Sequence, residues 1–119
     1  MNWISAGAFL AFLGVALGAF GAHALQERVE PRDLEIFKTA TYYLMTHALA
    51  MIGFGLFQAK EGWPGWCFLF GIFVFSGSLY LLVFSGIRIF GAITPIGGLL
   101  FMAGWIGFAL EARTRGALK

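Results

Sequence analysis

Charge is what this sequence has least of. Its 119 residues carry eight Lys or Arg and six Asp or Glu, 12% of the chain, where soluble domains have about 25%. Four stretches, 1–26, 39–59, 62–87 and 89–110, hold none of them. Hydrophobic residues reach 60% and the mean hydropathy is +0.83, more apolar surface than one small domain can bury. A water-soluble fold is excluded, and lipid is the expected solvent.

Other absences narrow the reading further. Cys67 is the single cysteine, so no disulfide can form within the chain. The net charge of +2 comes from the tail residues Arg113, Arg115 and Lys119; with no basic face or docking motif, nucleic acid is not an expected partner, whereas anionic headgroups are. No charge-free run contains the carboxylate that proton-coupled carriers place in the membrane. None alternates polar with apolar residues over ~10 positions, which excludes transmembrane strands. Helices are then the architecture that satisfies the backbone in lipid.

Four apolar runs are present, each near the ~20 residues that cross a ~30 Å hydrocarbon core. The sequence predicts an all-α, integral membrane four-transmembrane-helix bundle forming a single domain, with helices at about 3–22, 31–59, 66–85 and 94–113. Ala22-His23-Ala24 looks like a leader cleavage site, but no Lys or Arg precedes the first run and the run is too long; it is expected to stay as the first span. Small residues recur at Gly7, Ala11, Gly14, Gly18 and Ala22, at Gly71, Ser78 and Ser85, and at Gly97, Gly104 and Gly107, spacings that let helices approach closely. Pro31 suits the first position of the second helix, with Asp33 and Glu35 in its early turns. In "KEGWPGW" the turn residues are flanked by Trp63 and Trp66, which with Trp3 and Trp105 are expected at headgroup depth.

The candidate site residues are few. Thr94 and Pro95 read as the N-cap and first residue of the fourth helix, leaving 86–93 as an interfacial connection that carries the isolated Arg88. Arg88 either raises its head to the interface or joins Thr94 and the helix start at Pro95 in binding an anion, a lipid headgroup phosphate above all. His47 lies inside the second span and is a candidate on that ground alone. It is expected to be neutral and bonded to a Thr, a Tyr or a backbone carbonyl, with Tyr43 one turn away. His23 ends the first span, ~12 Å from His47 in depth, and no third ligand is near, so no metal site and no cofactor are expected. The serines and threonines of the spans have no base except a histidine on another helix, and no catalytic residue is assigned.

The segments "LGVALGAFGAHAL", "FKTATYYLMTHALAM", "FSGSLYLLVFSGIRIFGAITPIGG" and "FMAGW" together resemble the YgdD- and YwdK-like family of small four-span membrane proteins, a domain of unknown function with a eukaryotic relative. The resemblance implies a bacterial inner-membrane location and a basic C-terminal tail on the cytoplasmic side; it implies no reaction. Many relatives carry a second histidine one turn before the one matching His47. Leu44 stands there in this chain, so a paired-histidine metal site does not carry over. His23, His47, Arg88 and Pro95 fall within matching motifs.

The function expected is that of a non-enzymatic membrane protein binding membrane lipid or a partner, either another membrane protein or its own copies. The rival is a homo-oligomeric conduit for a small anion or neutral solute, suggested by Arg88 and the 14 phenylalanines, although the Asn-containing signatures of small fluoride channels are missing. Four crossings put both termini on one side with Lys60, Arg113, Arg115 and Lys119, against Arg28, Arg32, Lys38 and Arg88 on the other. The tie leaves orientation open on charge alone.

Overall fold

The computed structural model describes residues 1–57 and 62–117. The described residues form four helices and no strand: α1 (Trp3–Leu25), α2 (Pro31–Phe57), α3 (Trp63–Ser85) and α4 (Ile89–Ala117). All four are long and apolar enough to cross a membrane. The expected end of the second helix near 59, the Lys60–Glu61 pair and Lys119 lie outside the described residues.

Local chemistry sets the ends. Asn2 caps α1, its Oδ1 accepting from the Ser5 N–H at 2.9 Å. Pro31 opens α2 and Pro64 stands in the first turn of α3, where a missing N–H costs nothing. α3 stops at Gly86, whose φ of +72° is open to glycine, and its N–H returns to the Leu82 carbonyl. The Ser85 hydroxyl then accepts from the Ile87 N–H.

That turn closes within three residues, and α4 begins at Ile89. The sequence expectation of a helix start at Thr94–Pro95 is therefore corrected: both lie inside α4. Pro95 removes the donor for the Gly91 carbonyl. The Thr94 hydroxyl beside it donates to the carbonyl of Phe90, not to the Gly91 carbonyl that the proline leaves without its helical donor.

α1 packs against α2, α2 against α3 and α3 against α4, giving a slab with extents of 54 × 26 × 20 Å. α2 and α4 run parallel and meet through aromatic side chains. In lipid, apolar burial gives helices little reason to associate, so close packing and interhelical hydrogen bonds carry the fold. A β-carbon at Gly7 would lie 2.6 Å from the Ala48 carbonyl oxygen, one at Gly71 2.5 Å from Phe101, and one at Gly97 against the backbone of Phe75. Buried Leu44, Met51, Phe54, Phe68, Ile72 and Phe101 fill the centre. Single π-helical turns interrupt α1 at Ala16–Gly21 and α3 at Ile72–Ser76.

Candidate functional site

The polar groups of the spans are bonded to one another. Thr41 donates to the Phe37 carbonyl and so accepts from the Tyr80 hydroxyl at 2.6 Å. Ser76 donates across the α2–α3 seam to the Ala40 carbonyl at 2.7 Å. Ser78 and Thr94 meet at 2.6 Å between α3 and α4. None of these hydroxyls faces an imidazole or a carboxylate.

His47 is buried, 3% exposed. Its Nδ1 lies 2.8 Å from the Tyr43 carbonyl oxygen, which can only accept, and its Nε2 lies 3.0 Å from Trp105 Nε1, which can only donate. These two partners define the neutral tautomer with the proton on Nδ1, and they occupy both nitrogens. The ring stacks on Phe101 with centroids 3.5 Å apart and planes 8° from parallel. A metal at His47 would have to displace the indole. Among the described residues no three His, Cys, Asp or Glu gather.

Trp105 is thereby a correction. The sequence places it at headgroup depth, but it sits at the level of His47, near mid-span. The headgroup expectation failed because a spanning tryptophan reads as an anchor until the polar atom its N–H meets is known. Thr41, Tyr80 and Ser76 are further hydrogen-bonding residues of the spans that no small-residue spacing marks in the sequence.

His47 and Trp105 form the floor of a groove between α2 and α4. It measures about 650 Å³, opens sideways, and is walled by Tyr42, Tyr43, Phe75, Pro95, Leu99 and Met102. From Pro95 to Trp105 is ten residues, ~15 Å along the helix axis. Tyr42 and Tyr43 stand at its upper end, ring centroids 5.5 Å apart, and Tyr43 packs on Phe75 at 4.5 Å.

The other candidates do not join this groove. Arg88 is exposed in the turn between α3 and α4 and lines a small cleft with Glu30, Arg32 and Asp33. Two carboxylates there oppose an anion, and Thr94 lies a turn and a half further on, inside α4. Arg88, Thr94 and Pro95 are thus not brought together around a helix N-terminus. His23 ends α1, exposed, beside Gln26, Glu27 and Arg28. Gly21 faces Phe37, ten residues before His47, and His23 lies two residues further out, so the two imidazoles stand ~18 Å apart in depth.

Fold and groove define a four-span helical membrane protein with its interior polar groups spent on one another. Residues 17–98 match the family described as "Protein of unknown function (DUF423)". The chain is 44% identical over 108 residues to a UPF0382 membrane protein of Staphylococcus saprophyticus, covering 87% of this chain and 90% of the relative. A UPF0382 membrane protein of Staphylococcus epidermidis is also 44% identical, with 87% and 88% covered, and one of Staphylococcus aureus USA300 is 45% identical over the same shares. The protein belongs to the DUF423 family of membrane proteins. No solved structure matches the chain.

Proposed function

We propose that this is a non-enzymatic lipid-binding protein of the bacterial inner membrane, holding an acyl chain in the groove between α2 and α4. The observation that carries the reading is the shape of that groove: apolar and aromatic walls, a sideways opening, and a length of ~15 Å, half of a ~30 Å hydrocarbon core. An acyl chain of one leaflet has that length and that chemistry. The non-enzymatic reading is supported by the engaged nitrogens of His47 and by the hydroxyls of Thr41, Tyr80, Ser76, Ser78 and Thr94, which bond to each other or to carbonyls. A passage through a single copy has less support, because the side chains of Met51, Phe54 and Phe68 occupy the bundle centre; a homo-oligomeric conduit would need its passage between copies. Both termini are proposed to face the cytoplasm, as the family resemblance implies for the basic tail; the balance of basic residues does not itself select a side.

Gly98 supplies the test. It lines the groove, and a β-carbon there meets only Phe75 Cδ2, at 4.0 Å. Gly98→Leu should fill the groove without moving the backbone. Purified in mild detergent and weighed by native mass spectrometry, the wild-type protein is expected to retain a phospholipid and Gly98→Leu to lose it, with the unfolding midpoint unchanged. Equal retention by the two would refute the reading.

A further inference from the structure

A second groove, of about 400 Å³, runs between α1 and α2, walled by Gly14, Gly18, Ala22 and Met45. Tyr42 borders it and also borders the first groove. The 65% exposed Tyr42 ring is therefore a ridge with an apolar slot on either side. Gly14 stands opposite Met45 and Gly18 opposite Thr41; from Ala22 to Gly14 is ~12 Å along the axis, in the same half of the molecule as the first groove. One helical turn above Tyr42, on the same face, stands Lys38, which also lines the second groove. A polar cup continues from there: it shares Gly18, Ala22 and Lys38 with the groove and adds His23 and Gln26. Among the described residues Lys38 pairs with Glu35, at 3.9 Å, with the two side chains 55% and 75% exposed. Such a pair binds weakly and leaves the ammonium available.

We infer that this end of the α1–α2 pair is the headgroup seat of an anionic two-chain phospholipid, which straddles Tyr42 with one chain in each groove. The inference rests on the reading of the first groove and names its ligand class. Lys38 supplies the cation for the phosphate, with the Gln26 amide and the His23 ring beside it, and the paired slots below distinguish two chains from one. This gives His23 a role that no metal site offered.

The experiment compares added phosphatidylglycerol, phosphatidylcholine and single-chain lysophosphatidylglycerol on the delipidated full chain by native mass spectrometry. Wild type is expected to prefer phosphatidylglycerol over phosphatidylcholine, and Lys38→Gln to lose about fivefold of that preference, the weight of ~1 kcal/mol per basic residue at a membrane surface. Ala22→Leu, which obstructs the second groove, is expected to cut retention of the two-chain lipid while sparing the single-chain one. Lys38 is exposed, so its variant reports even where Ala22→Leu disturbs packing. If Lys38→Gln and Ala22→Leu both retain phosphatidylglycerol like wild type while Gly98→Leu loses it, the seat is overturned and the first groove stands. Loss in those two variants with full retention in Gly98→Leu overturns the first groove and, with it, the two-groove straddle.

Discussion

At the scale of single residues, the bond between Trp105 and His47 deserves the sharpest test. Phenylalanine at 105 keeps an aromatic ring against Phe68 and Phe108 and removes the N–H that His47 Nε2 accepts. An average interhelical hydrogen bond in a membrane is worth ~0.6 kcal/mol, but a buried acceptor left with no partner costs ~1–3 kcal/mol. Trp105→Phe is expected to lose the larger amount in denaturant titrations in detergent. The double variant with His47→Phe should recover much of it, because both polar partners are then gone. His47 could be found from the sequence, since an ionisable residue inside an apolar run is conspicuous. Its partner could not: the two lie 58 residues apart, and their meeting depends on the register between α2 and α4, which apolar patterning does not specify. Tyr43 was the correct neighbour, but it contributes its backbone carbonyl.

At the scale of helices, glycine position decides what each face tolerates. Adjacent Gly97 and Gly98 make the contrast. A β-carbon at Gly97 would press on the Phe75 backbone, whereas one at Gly98 enters open groove. Gly97→Ala should force α3 and α4 apart and cost ~1–3 kcal/mol. Gly98→Ala should be neutral or should gain up to ~1 kcal/mol from helix propensity. Unfolding midpoints measured side by side check both. The spans and their small-residue faces were legible because charge-free runs and three- or four-residue spacings are strong patterns. The start of α4 differs from the sequence expectation because Thr-Pro is a good cap in isolation; the left-handed Gly86 ends α3 and lets α4 begin at Ile89, five residues before Thr94, and the chain has no reason to stay irregular. The two π-helical turns had no signature in the sequence.

At the scale of the molecule, the 54 Å long axis exceeds a ~30 Å core, so charged ends project on both sides. One end carries Arg28, Arg32 and Lys38 with Arg88, as the shared cleft of Arg32 and Arg88 shows. At the other, Arg115 donates to the Phe57 carbonyl and covers the Phe57 ring at 4.7 Å. Because the basic residues balance, small changes should control orientation. Replacing Arg28 and Arg32 with Gln is expected to fix the termini in the cytoplasm, and replacing Arg113 and Arg115 to turn the population over, as read by a C-terminal reporter fusion. The fold that is oriented in this way is held by atoms it does not have. Every amino acid reachable from a glycine codon by one nucleotide change carries a β-carbon, so at Gly7, Gly71, Gly97 and Gly107, where such an atom collides with a neighbouring helix, each missense allele begins with a steric debt. For this gene, the fold's genetic fragility is concentrated in its smallest side chains.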